Sequence, residues 1–184
     1  MSFTRSFLPL ALTILTTSAS VNAETFTLKG SLFEKVGLKQ KIDPLLLYSI
    51  ALAESGMGVG NGLIRPKDLV IRFDGEALSF STKEEAQTRL KSILATSNNV
   101  DVGVMQVNLK HNPQPNPLSL FDPENNIETG AQILVAAMKS SPDNLVIGIG
   151  RYHNWSDIER CRWYGNMVLT IHSNLQRYMA VNRG

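Results

Sequence analysis

Glu54 closes a stretch, Leu45-Leu46-Leu47-Tyr48-Ser49-Ile50-Ala51-Leu52-Ala53, that carries no other charge. A carboxyl group among such neighbours loses hydration, which disfavours its ionised form and raises its pKa. An acid still protonated near neutrality can give its proton to a poor leaving-group oxygen, such as that of a glycosidic bond. The same pattern also describes a glutamate at a helix end that faces solvent, so residues elsewhere must decide between the two.

Other chemistries find little support. Cys161 is the only cysteine, so no intrachain disulfide can form; it sits amid Arg160, Arg162, Trp163 and Tyr164 with His153 eight residues away, and reads as a buried structural thiol. His111, His153 and His172 are too scattered for a metal motif, and no glycine-rich phosphate loop or internal repeat occurs. No metal or cofactor is expected.

The elements that must position Glu54 read as mainly helical (α+β), with one small β-hairpin insertion. Asp43-Pro44 is a helix start, since Asp can cap free N–H groups and Pro at the first helical position loses no bond. That helix ends near Ser55-Gly56. Residues 69–73 and 76–80 flank Asp74-Gly75, the signature of a two-residue hairpin turn. Ser81 or Thr82 then caps a helix carrying Ala86, Leu90, Ile93 and Leu94 on one face. Residues 111–124, with four prolines, form a loop. Asn125, with Glu128 three residues on, is read as the next helix cap. A short helix is expected over about 144–152. A last one, over about 157–179, carries Cys161, Tyr164, Val168, Ile171, Leu175 and Tyr178 as a core stripe.

Four segments occur in a telling order: Ala53-Glu54-Ser55-Gly56; Gly103-Val104-Met105-Gln106-Val107-Asn108; Asp122 to Gly130, containing Asn126-Ile127; and Tyr152. Together they resemble the SLT-type lytic transglycosylases, glycoside hydrolase family 23, over roughly residues 40–180. The resemblance implies a lysozyme-like helical fold. The longer interval between Glu54 and Gly103, the Ser81-Thr82-Lys83-Glu84-Glu85-Ala86 helix start and Asp101-Val102-Gly103 resemble the branch encoded by integrative and conjugative elements. Gly150-Arg151-Tyr152-His153 departs from the commoner pattern, in which asparagine follows the tyrosine. Roles for His153, Asn154 and Asp101 are left open.

The resemblance implies that Glu54 protonates the oxygen between MurNAc and GlcNAc, then takes a proton from the C6 hydroxyl of the same MurNAc. That hydroxyl attacks its own anomeric carbon, with the advantage of proximity over water. A 1,6-anhydro sugar results. Tyr152 is expected to hold Glu54 by a hydrogen bond. Ser55, Gly103, Met105, Gln106 and Asn126 are expected at the substrate groove, with Ser55 orienting the acid or touching the peptide side. The implied partners are peptidoglycan strands and a conjugation or secretion apparatus. A water-using muramidase, with Asp101 as the nearest candidate second carboxylate, is one alternative. A non-catalytic glycan-binding component of a secretion machine is another.

The whole chain fits this setting. Its 184 residues allow one domain with a sizeable apolar core. A net charge of +2, without a concentrated basic stripe, gives no support to nucleic-acid binding. Arg5, an apolar run from Phe7 to Leu15 and Val21-Asn22-Ala23 have the order of a secretory signal peptide. Cleavage after Ala23 would leave residues 24–184 as the periplasmic domain, without stable membrane insertion. An uncleaved anchor is disfavoured because the run is shorter than the ~20 residues that span a bilayer.

Overall fold

The computed structural model describes residues 26–60 and 63–181. The expected signal segment lies outside them. The architecture is mostly helical with two small sheets, the α+β class that the hydrophobic periodicity implies.

Helix α1, Leu32–Gln40, was not expected from the periodicity. Ser31 caps it by accepting from Glu34 N, and Lys41 ends it at a φ of 57°. The chain then re-enters helix almost at once. In α2, Pro44–Ser55, the Asp43 carboxylate accepts from Leu45 N at 2.9 Å, as the Asp-Pro start predicts. Leu47, Ile50 and Ala51 are fully buried, because α2 lies between α1 and the last helix. Burying a helix this apolar leaves its terminal carboxyl, Glu54, at the boundary of the core.

After α2, strands β1 (Gly56–Gly58) and β2 (Ile64–Pro66) pair antiparallel as a separate two-stranded ribbon. The hairpin at Asp74-Gly75 forms as read: β3, Val70–Phe73, pairs with β4, Glu76–Ser79. Both turn residues have positive φ, 51° and 80°, which suits the right-handed twist of the flanking strands. The hairpin is not isolated. β5 (Asp101–Val102) and β6 (Val107–Asn108) extend it to a four-stranded sheet in the order β4-β3-β5-β6.

Register sorts the sheet's two faces. Ile71, Val102 and Val107 stand opposite one another and are buried. The next row is Arg72, Asp101 and Asn108, on the other face.

Helix α3, Lys83–Leu94, begins with a complete capping box between Thr82 and Glu85. The proline-rich loop contains a 3₁₀ turn, Pro117–Phe121. The next helix, α4, spans Pro123–Lys139, and its cap is Asp122 rather than Asn125, with the Asp122 carboxylate accepting from Asn125 N at 3.2 Å. Pro123 explains the correction: it occupies the first helical position, where a missing N–H costs nothing, so the helix starts before Asn125. Helices α5, Leu145–Gly150, and α6, Ile158–Val181, match the expected positions. Cys161, Tyr164 and Val168 of the expected stripe are buried; farther along α6 the burial lapses.

α5 and α6 touch backbone to backbone. A Cβ on Gly150 would lie 2.0 Å from Cys161 O, and one on Gly165 would lie 2.0 Å from Val146 O.

Candidate active site

Glu54 faces a groove of about 910 Å³. One wall is the polar sheet row, Arg72, Asp101 and Asn108, continued by His111 and Asn112. Another is helical and more apolar, with Ile133, Ala136 and Met167. The turn after α5 closes the remaining side with Tyr152, His153 and Trp155.

The Glu54 side chain keeps 14% of its exposure. Burial pushes its pKa up to about 7; the Tyr164 hydrogen bond opposes this, Asp101 adds to it and Arg72 opposes it. Near neutral pH the group is therefore present both as acid and as base, which is what a residue that must donate and then accept a proton requires.

Tyr164 from α6 donates its hydroxyl to Glu54 Oε1 at 2.5 Å. The sequence reading gave this role to Tyr152, and the geometry corrects it: the Tyr152 hydroxyl donates to Met105 O at 2.7 Å instead. Tyr152 still lines the groove, and its pKa is raised well above the usual tyrosine value by burial and by the nearby Glu54. Periodicity placed Tyr164 in the core stripe of α6. Its ring does sit there, and only the hydroxyl reaches the acid.

His153 stacks on the Tyr164 ring, with centroids 4.8 Å apart and planes 3° from parallel. Its Nδ1 lies 3.9 Å from Glu54 Oε1. Burial, followed by repulsion from Arg160, lowers the His153 pKa. The imidazole is therefore mostly neutral at pH 7, and the approach to Glu54 is not a fixed ion pair. Its parallel face restricts the Tyr164 ring.

Four of the expected groove residues instead build the frame behind it. Ser55 is buried; its hydroxyl donates to Ala51 O at 3.0 Å and Val104 O at 2.7 Å, tying the end of α2 to the segment after β5. Gly103 has a φ of +77°, and a Cβ there would lie 2.2 Å from Asn126 Nδ2. Asn126 is saturated: it donates to Val102 O and Leu120 O, both at 2.9 Å, and accepts from Met105 N at 2.7 Å. Met105 is fully buried and packs against Gly130. None of the four has a polar group free to meet a sugar, since each is enclosed by the contacts that hold the 103–106 turn.

Gln106 is the exception. It lines the groove in a left-handed conformation, φ 48°, held by its Nε2 donating to Gly103 O at 2.8 Å. Its Oε1 is buried without a protein partner. A non-glycine residue in this region of backbone space costs energy, and such strain gathers at functional sites.

Asp101 faces the groove by register. It accepts from Asn108 Nδ2 at 2.8 Å, and burial raises its pKa. The sheet that aims it was not evident from strands of two residues.

A buried acid near its pKa, held by a phenol and facing an open groove, is an arrangement able to donate and accept a proton. Residues 89–156 match the Transglycosylase SLT domain. The span takes in Gln106, Tyr152 and His153 and begins after Glu54. It supports a lytic transglycosylase acting on peptidoglycan, and the mostly helical fold with small sheets is consistent with that domain. Neither a curated protein nor a solved structure matches the chain.

Proposed function

We propose that this protein is a peptidoglycan lytic transglycosylase in which Glu54 serves as both acid and base. The observation that carries the reading is the Glu54 carboxyl, held by Tyr164, desolvated to a pKa of about 7 and facing the groove. In the first step Glu54 gives its proton to the oxygen linking MurNAc to GlcNAc, and the C1–O bond breaks. The resulting carboxylate takes the proton of the MurNAc C6 hydroxyl as its oxygen bonds to C1. The product is 1,6-anhydroMurNAc, and no water is consumed.

Tyr164 positions the acid and stabilises its ionised form between the two steps, with His153 backing the phenol. Gln106 forms part of the groove wall beside the acid, in a turn fixed by its own Nε2 on Gly103 O. Tyr152 fixes the Met105 carbonyl, and through it the turn that carries Gln106.

Muropeptides released by the purified protein should be one water lighter than hydrolysed fragments and should resist borohydride reduction. A specific observation favours a second reading. Asp101, a second carboxyl group, faces the same groove, as an inverting hydrolase acting through water would need. Reducible fragments carrying the extra water would establish that reading in place of the first.

The order of residues 1–23 supports export with cleavage after Ala23, placing the domain in the periplasm against its substrate. N-terminal sequencing of exported protein should begin at Glu24; a full-length, membrane-retained product would refute this. The resemblance of residues 69–108 to the conjugative-element branch supports a role in opening the wall locally for a conjugation or secretion apparatus. A conjugation assay with a Glu54→Gln strain tests it, and unchanged transfer would count against that role.

A further inference from the structure

The sequence contains two tryptophans, and both lie in the groove. Trp155 is 59% exposed and Trp163 is 62% exposed. An indole is one of the largest apolar surfaces a side chain can present, and leaving it in water forgoes the stabilisation of burial. Isolated exposed apolar residues need no explanation, but two indoles in one groove form an apolar surface that calls for a ligand.

Trp155 is also held in place. The Arg151 guanidinium carbon lies 5.8 Å from the Trp155 ring centroid, within cation–π range. Arg151 is itself pinned at the end of α4, donating from Nη1 to Ser140 O at 2.6 Å and Ser140 Oγ at 2.8 Å. The indole therefore rests on a cation that is bonded to the scaffold. Trp163 is carried on α6, next to Tyr164. A platform fixed before binding lowers the ordering cost of the complex.

We propose that Trp155 and Trp163 are stacking platforms of a sugar subsite, each taking the apolar C–H face of an N-acetylhexosamine ring beside the bond that Glu54 cuts. The occupant is chosen by chemistry and continuity. Pyranose rings have a flat C–H face complementary to an indole, and the groove holding the tryptophans also holds Glu54. The inference rests on the glycan-cleaving reading above and assigns it a binding surface.

The test uses the full chain with Glu54→Gln, which blocks turnover, and the β-1,4-linked N-acetylglucosamine hexamer as probe. Because all tryptophan emission comes from the groove, titration should give a saturable change in fluorescence. By calorimetry, Trp155→Ala and Trp163→Ala should each weaken the Kd by at least about fivefold, the scale at which truncating a contact residue to alanine marks it as important for binding. Both side chains are exposed, so melting temperatures should hold. No saturable response, or an unchanged Kd in either variant, overturns the paired platform. Cleavage of whole peptidoglycan by the unsubstituted protein separates the two levels. If lysis is normal while the tryptophans are indifferent, only this inference falls; if there is no lysis, the reading beneath it falls as well.

Discussion

Replacing Glu54 by glutamine should remove activity and, at the same time, make the protein more stable by an amount that depends on pH. The carboxyl titrates at about 7 in the folded chain, against 4.5 for an unperturbed glutamate. Below pH 4.5 the group is protonated in both states, and the substitution exchanges one neutral hydrogen-bonding group for another. Between the two values the unfolded chain ionises and the folded chain does not, so stability falls as pH rises. Each pH unit in that window costs about 1.4 kcal/mol. Above pH 7 the loss levels off, at about 3 kcal/mol for the whole shift. The glutamine side chain does not ionise and escapes this loss, while its amide oxygen can still accept from Tyr164. Urea denaturation of both forms at about pH 4, 6 and 8 should therefore show a stability gap that opens with pH and reaches about 3 kcal/mol. Turnover should fall by at least ~10²-fold, the lower end for losing general acid–base catalysis. A gap that stays flat across the range would refute the desolvated-acid argument; retained turnover would refute the catalytic assignment.

The two tyrosines should separate cleanly. Tyr164→Phe removes the hydrogen bond that holds the Glu54 pKa down, so the alkaline limb of the pH–rate profile should move to higher pH, by on the order of one unit if the bond is charge-assisted. An unmoved limb would dissociate Tyr164 from the acid. Tyr152→Phe leaves the Met105 carbonyl without its donor and should cost about 1–3 kcal/mol of stability by thermal or urea unfolding, with that limb changed little. Gly103→Ala meets both a positive φ and the Asn126 side chain, so it should unfold the protein or lower its melting temperature sharply; near-wild-type melting would mean the turn adapts.

The acid was legible because a lone carboxyl in an apolar helix is conspicuous in one dimension. Its partner was not, because Tyr164 lies 110 residues away in a stripe whose spacing signals only burial. A tyrosine can serve both ends at once, ring in the core and hydroxyl at the site, and periodicity sees only the ring. Motif order located the 103–106 turn but not which of its atoms face outward. The left-handed φ at both Gly103 and Gln106 twists this segment so that Met105 turns inward and Gln106 toward the groove. Asp101 was visible as a residue and not as a wall, because two-residue strands carry too little alternation to announce a sheet. Helix α2 and the hairpin were readable from local signals alone: Asp-Pro, Asp-Gly and uninterrupted apolarity.

The backbone contact between α5 and α6 couples parts of the site that sequence keeps apart. With no side chain to act as a spacer at Gly150 and Gly165, the end of the short helix rides directly on the long one. Tyr152 and His153 follow at once from the former, and Tyr164 belongs to the latter. Displacing α6 along its axis would therefore carry the histidine and the phenol beneath it together, preserving their stack while shifting both against α2. α6 is tied to α2 as well, through Tyr164 on Glu54 and His172 on Asp43, so such a shift would be resisted at both ends of α2.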